Sequence, residues 1–290
     1  MKRQFDPAEL ELMDRPQPVS IELEHDLRSI RQLNRWFGSH RLVRHFVRRW
    51  IRPGARMRIL DLATGSGDIP RLIVDHVRKI GATVEIVALD QQSATLEIAR
   101  KLSSDYPEIS FIEADILEFK PPDGYDIVLC SLALHHFSDE DAVRVLQRCR
   151  ELAHKFALVS DLCRGWLATV GVNVLTALIF RAPMTRFDAR LSAARSFSFA
   201  ELDHLALRGG WQNFAHKKFR FARQAIWLEK TANCRSGDVS SGALLSASLV
   251  EVSGQRHHAA RPSHEETFLD FSLQNRTELI AEREGTLCHS

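Results

Sequence analysis

Residues 58–91 read RILDLATGSGDIPRLIVDHVRKIGATVEIVALDQ: an apolar run, two closely spaced glycines, a helical pattern and a second apolar run that ends in an aspartate. Ile59, Leu60 and Leu62 give a short buried-strand signal, and Gly65 and Gly67 then allow a tight turn from strand into helix. That turn presents the backbone N–H groups of the first helical turn to a polar ligand. Asp68 is placed to cap the helix, Pro70 suits its first turn, and Gly81 ends it. Val84 to Leu89 form the second strand, which delivers Asp90 to the carboxyl edge of a parallel sheet, where its carboxylate is placed to accept ribose hydroxyls.

The segments that follow keep the same order of parts. Asp61-Leu-Ala-Thr-Gly65-Ser-Gly67-Asp68 resembles the first motif of the class I S-adenosylmethionine-dependent methyltransferases, and Asp90 resembles that family's acidic residue after the second strand. Ala114-Asp115-Ile116 is similar to its adenine-side segment, and Tyr125 to Ser131 with Leu132-Ala-Leu-His135-His136-Phe137 to its fourth strand and the loop beside the transferred methyl. The resemblance covers roughly residues 35 to 230, and four motifs in order are far more specific than one glycine loop. It implies an α/β fold: a doubly wound, seven-stranded, mostly parallel sheet with N-terminal helices and a helical insert before the last two strands. It also implies S-adenosyl-L-methionine as cofactor, with Asp61, Ala63, Thr64, Gly65 and Gly67 around the methionine moiety, Asp90 and Gln91 at the ribose, Asp115 and Ile116 at the adenine, and Ser131 at the end of the fourth strand. The rival for such a loop is a dinucleotide-binding dehydrogenase, which needs a third glycine for close helix packing; that position here is Pro70.

Composition agrees with a globular enzyme. The chain has 290 residues, 44% of them hydrophobic, enough for one large α/β domain with appendages. A net charge of +2 gives no general pull toward nucleic acid. The five cysteines show no paired or metal-like spacing, as expected of reduced cytoplasmic thiols, and the opening MKRQFDPAELELMD lacks the apolar core of a secretory leader.

Residues 1–22, polar and bearing Pro7, Pro16 and Pro18, read as a flexible arm. A methyltransferase domain is expected over 23–231, beginning with helices at 23–55 that Gly38 is placed to divide. Ser138 with Asp141, and Ser198 with Glu201, mark two later helix starts; Phe156 to Ser160 reads as a fifth strand ending at Asp161, and 213–219 and 224–229 as a final antiparallel pair. Residues 232–290, rich in Ser, His and charge, read as a disordered tail.

A helical lid insert is expected at 164–197, where Trp166 to Phe180 runs without a charge. That run is too short for a membrane span of about 20 residues, which leaves a buried core helix or a lid over an apolar acceptor pocket. With the arginines of the N-terminal helices (Arg28, Arg31, Arg35, Arg41, Arg44, Arg48, Arg49, Arg52), it is also a candidate for peripheral contact with a membrane surface; the plainer reading of the basic face is solvation or pairing with nearby acids.

Methyl transfer to a phenol or enol needs a base, because a pKa near 10 leaves little oxyanion at neutral pH. His135 and His136, just after the fourth strand, are the candidates for catalysis, with a structural role for both as the alternative; Asp161 is placed to orient one of them. The segment Ser131-Leu-Ala-Leu134 lacks the proline-containing element with which amino-methylating enzymes of nucleic acids hold a flipped base, so no nucleic-acid partner is expected. No metal is expected either. The His-His-Phe loop and the apolar insert are similar to the ubiquinone and menaquinone methyltransferases and to small-molecule O-methyltransferases. The expected reaction is therefore O- or C-methylation of a phenolic or quinone-like ring on a hydrophobic small molecule. A catalytically inactive cofactor-binding protein and a peripheral membrane lipid methyltransferase are the alternatives, and the sequence says nothing of oligomeric state.

Overall fold

The βαβ unit read from residues 58–91 forms the middle of a seven-stranded sheet in the computed structural model, which describes residues 2–9, 11–165 and 183–230. Two helices, α1 (Ile21–Trp36) and α2 (Ser39–Trp50), lead into β1 (Arg56–Leu62), α3 (Asp68–Lys79), β2 (Thr83–Asp90), α4 (Ser93–Leu102), β3 (Ile109–Glu113) and β4 (Tyr125–Ser131). Then come α5 (Asp139–Leu152), β5 (Ala153–Leu162), α6 (Pro183–Arg195), α7 (Phe199–Arg208), β6 (Ala215–Phe219) and β7 (Arg223–Glu229). The strand order is β3-β2-β1-β4-β5-β7-β6, with β7 antiparallel to both β5 and β6 and the other neighbours parallel. The order reverses between β1 and β4, so a crevice opens beyond their carboxyl ends, the position at which open α/β sheets bind ligands.

The central strands read as continuous apolar runs because helices cover both faces. Period-two alternation sends Leu60, Leu62, Val128 and Cys130 into one core with Leu146, Leu202 and Trp211, and Ile59, Ile127 and Leu129 into the other with Phe46, Val47 and Ile73. Gly38, at φ +84°, makes the expected break between α1 and α2. Ser198 and Glu201 form the expected capping box, and Ser138 Oγ accepts the Asp141 N–H at the start of α5. β5 is longer than expected at both ends, because its first residues pair with β4 and its last with Arg223 to Ala225 of β7.

Two expectations need correction. Asp68 does not cap α3, whose N-cap is Gly67; its carboxylate accepts hydrogen bonds from Asn34 Nδ2 (3.3 Å) and His40 Nε2 (2.7 Å) and so ties α1 and α2 to the glycine turn. The region read as a flexible arm packs on the domain. The Arg3 guanidinium lies over the Phe197 ring and donates to the carbonyls of His135, Phe137 and Arg195, and the Leu12 N–H donates to Asp188 Oδ1 (2.7 Å). Polar composition hid this, because the arm is held through hydrogen bonds rather than an apolar stripe. No helix among the described residues is long and apolar enough to cross a membrane. The uncharged run 166–180 and the tail 232–290 lie outside the described residues.

Candidate active site

A cavity of about 320 Å³ fills the crevice, in the size range of small-molecule sites. One end is the glycine turn. Ala63 (φ +56°), Gly65 (φ +54°) and Gly67 (φ +73°) all adopt left-handed backbone within five residues. The two glycines differ in what surrounds them. A Cβ on Gly65 would meet nothing within 4 Å, since that side faces open space, whereas one on Gly67 would come within 3.1 Å of the Phe111 ring and 3.3 Å of Arg71. Both glycines are therefore required by the turn, and Gly67 by packing as well.

Asp90 reaches the cavity from the end of β2. Gly65 N–H donates to its Oδ2 (2.8 Å) and Gln92 N–H to its Oδ1 (3.1 Å), so the carboxylate is held rigidly while each oxygen keeps a lone pair for a further donor. Burial raises its pKa. Asp61, 2% exposed, lies behind the turn with Thr64 Oγ1 donating to its Oδ2 (2.7 Å). Burial pushes Asp61 up to about 7, the Thr64 hydrogen bond opposes this, and the neighbouring carboxylates Asp68 and Asp90 push it further. An acidic wall of this kind suits a cationic ligand. Asp115 and Ile116 line the same end; Asp115 Oδ1 accepts the Leu117 N–H (2.7 Å), leaving the other oxygen for a ligand, while Ile116 is buried as an apolar wall. Gln91 lines the cavity and is otherwise exposed, and Ser131 Oγ accepts from Ser160 Oγ at 3.2 Å. Of the cofactor-side residues expected from the sequence, Asp61, Ala63, Thr64, Gly65, Asp90, Gln91, Asp115, Ile116 and Ser131 line this one cavity, and Gly67 lies behind them against Phe111.

The histidines sit at the other end, on a 3-10 turn at Leu134–His136, with ring centroids 4.2 Å apart. Asp161, at the end of β5, grips His135 twice: its Oδ2 accepts the backbone N–H (2.9 Å) and its Oδ1 pairs with Nδ1 (2.7 Å). Burial alone would raise the Asp161 pKa; the neighbouring His135 outweighs it and holds the carboxyl below its usual range. His135 Nε2 therefore points inward, the arrangement expected of an imidazole oriented by a carboxylate. His136 Nδ1 pairs with Asp14 Oδ2 (2.7 Å). Burial works against its charged form, but Glu11, Asp14 and Asp161 raise its pKa to about 9.

Several residues here escaped the sequence reading. Glu11 and Asp14 come from the arm; Asp188, Ser192 and Arg223 line the same end, and Ser192 Oγ donates to Glu11 Oε1 (2.6 Å). No short-range signal marks Glu11 or Asp14, because their partners lie more than 120 positions away in the chain. Of the aromatic residues of the N-terminal helices, Phe37 lines the cavity beside Phe221, while Phe46 and Trp50 are buried among Phe156, Phe219 and Trp227 and Trp36 is exposed.

Residues 59–155 match the model of a methyltransferase domain family. Among curated proteins, the chain is 35% identical over 81 residues to the 2-phytyl-1,4-naphtoquinone methyltransferase of Thermosynechococcus vestitus, covering 28% of this chain and 35% of that protein. It is 40% identical over 97 residues to the demethylmenaquinone methyltransferase of Thermus thermophilus, covering 32% and 42%. The matches thus span about a third to a half of these relatives. Among solved structures, a putative O-methyltransferase from Nostoc punctiforme superposes with TM-score 0.52 at 18% identity over 71% of this chain and 59% of that one. A plantazolicin methyltransferase in complex with SAH gives 0.54 at 12% identity over 73% and 91%. Both likenesses show the fold.

Proposed function

We propose that this chain, which carries a class I S-adenosylmethionine-dependent methyltransferase domain, transfers a methyl group to an oxygen or ring carbon of a hydrophobic phenolic or quinone-like molecule. The observation that carries the reading is one cavity with a glycine turn and rigidly held Asp90 at one end and a carboxylate-oriented histidine pair at the other. S-adenosylmethionine, when bound, supplies a methyl group made electrophilic by a sulfonium sulfur.

The residues present fit that cofactor. Asp90 has acceptor capacity left for ribose hydroxyls, Gly65 opens onto the cavity, and the buried Asp61 is a natural partner for positive charge. Asp115 and Ile116 offer a polar edge and an apolar face to an adenine. At the far end, His135, oriented by Asp161, serves to ionise the acceptor: the hydroxyl proton leaves to its Nε2 and the oxyanion, or the ring carbon it activates, attacks the methyl, with His136, its pKa raised to about 9, as the charged neighbour. Phe37 and Phe137 line the cavity and suit an apolar ring. Positioning of the two reactants supplies most of the acceleration. The names of the relatives, both quinone methyltransferases, favour a quinol-type ring as the first acceptor to try.

Incubation of the full chain with S-adenosylmethionine carrying a labelled methyl, and with naphthols, naphthoquinols and long-chain phenols, tests the proposal. Transfer of label to one of these, with release of S-adenosylhomocysteine, is the expected result. Label found only in phospholipid or nucleic acid, or in no acceptor despite cofactor binding, would overturn it.

A further inference from the structure

We propose that Glu11, His135 and His136 form a binding site for one first-row divalent metal ion, of the Zn²⁺ or Co²⁺ kind, at the acceptor end of the cavity. The inference deepens the function above, and rests on it only in assigning the cluster to the acceptor side.

Three observations carry it. First, the geometry fits a shared ion better than direct contact. Glu11 Oε1 lies 3.7 Å from His135 Nε2 and 3.9 Å from His136 Nδ1, too far for hydrogen bonds, and the three atoms all lie within 4.8 Å of one another. Ligands at metal bonds of about 2.0–2.2 Å in a tetrahedral shell stand roughly 3.4 Å apart, close to the separations of Glu11 from the two imidazoles. Second, the group is buried: Glu11 is 3% exposed and comes from a segment whose other contacts, through Arg3 and Leu12, fix it in place. Among the described residues, the polar partners of this carboxylate are the hydroxyl of Ser192 and the two imidazoles. Third, the surroundings are those of metal-bound imidazole. Asp161 holds His135 at Nδ1 and leaves Nε2 as the inward donor, the carboxylate–histidine arrangement that orients ligands in metal sites. Asp14 Oδ2 lies 2.7 Å from His136 Nδ1 and holds that ring beside Glu11.

Two nitrogen donors with carboxylate oxygens select ions such as Zn²⁺ and Co²⁺ over the oxygen-seeking Mg²⁺ and Ca²⁺. Because the three ligands line the cavity, an open coordination position would face the acceptor and hold its oxygen. The histidine pair would then ionise the acceptor through the metal rather than as free bases.

The test uses the full chain, stripped with a chelator and dialysed. Titration with Zn²⁺ is followed by calorimetry, and with Co²⁺ by visible absorption. The expected result is one equivalent bound with proton release, a cobalt spectrum without thiolate bands, and no competition from Mg²⁺. Glu11→Gln and His136→Asn are each expected to weaken binding at least tenfold, and Asp161→Asn by about 10–100-fold, with S-adenosylhomocysteine affinity within about twofold of the parent as the control for folding. Absence of stoichiometric binding overturns the site. So does binding that survives both Glu11→Gln and His136→Asn, which would put the metal on other histidines or cysteines. Methyl transfer unchanged in excess chelator would overturn the metal's role while leaving the methyltransferase reading intact. Metal binding without S-adenosylhomocysteine binding would do the reverse.

Discussion

The two ends of the cavity are built from different kinds of sequence. At the cofactor end the functional atoms belong to strand ends and to the loops directly after them: Gly65, Asp90 and Asp115 each follow a strand of the same half-sheet, and Gly65 N–H and Asp90 Oδ2 meet at 2.8 Å across neighbouring strands. At the acceptor end His135 likewise follows β4 and Asp161 stands at the end of β5, but Glu11 meets His135 and Ser192, and Arg3 meets Phe137, across separations of 124 to 181 positions. A site assembled at strand ends depends on backbone geometry, which restricts residue type. A site assembled by an arm and a distant helix depends on side chains that any loop could carry. The first end should respond to substitution through binding, the second through turnover.

His135→Ala is expected to have the largest effect, lowering the rate of methyl transfer by about 10²–10⁴-fold while leaving S-adenosylhomocysteine affinity nearly unchanged. Single-turnover rates beside calorimetry check it, and an equal loss in both would merge the two ends. Asp90→Ala should do the opposite, raising the cofactor Kd by about 5–150-fold, or roughly 1–3 kcal/mol, through loss of a charge-assisted hydrogen bond, with the acceptor KM unmoved.

Asp61 sharpens the contrast through pH. Its folded pKa, about 7, lies above the ordinary carboxylate value, so between pH 4 and 7 the folded state holds a proton that the unfolded chain has lost. The stability of the ligand-free protein should therefore fall as pH rises through this window, by up to about 1.4 kcal/mol per unit, and level off above 7. A positively charged ligand favours the ionised form, so cofactor affinity should rise over the same interval. Asp61→Asn should flatten both curves, as denaturant titrations and calorimetry at pH 6 and 8 would show. The smallest effect is expected from Arg3→Ala, which loosens only the start of the arm while Glu11, Leu12 and Asp14 keep their partners: a rise in acceptor KM corresponding to about 1 kcal/mol, with cofactor affinity unchanged. A cofactor affinity that fell with Arg3 would mean that the start of the arm also sets the contact of Asp14 with Gln92 beside Asp90.

The same contrast explains what could be read from the residues alone. The break at Gly38 and the capping box at Ser198 follow from local signals, the seven-stranded sheet was implied by the family resemblance, and all three are present in the structure. The glycine turn and the position of Asp90 were legible because a strand, a turn and a helix start constrain their neighbours over a few residues, whereas Asp115 was named by the family resemblance. Asp161 was placed correctly at the end of β5, although its grip on both the ring and the backbone N–H of His135 is a tertiary fact. Asp68 misled because an acid after a glycine turn reads as a cap; tertiary pairing with His40 and Asn34 took it instead. Glu11 and Asp14 were illegible because a polar segment bearing prolines has the same composition whether it is free or pinned through its hydrogen bonds.

The claim on which the rest depends is that the end of the cavity built on Gly65 and Asp90 holds S-adenosylmethionine. Calorimetric titration of the full chain with S-adenosylmethionine, S-adenosylhomocysteine and NAD tests it most directly. One equivalent of either sulfur compound bound, weakened in Asp90→Ala, with NAD silent, is the predicted result. A folded chain that binds neither sulfur compound, or that binds NAD in their place, would contradict it.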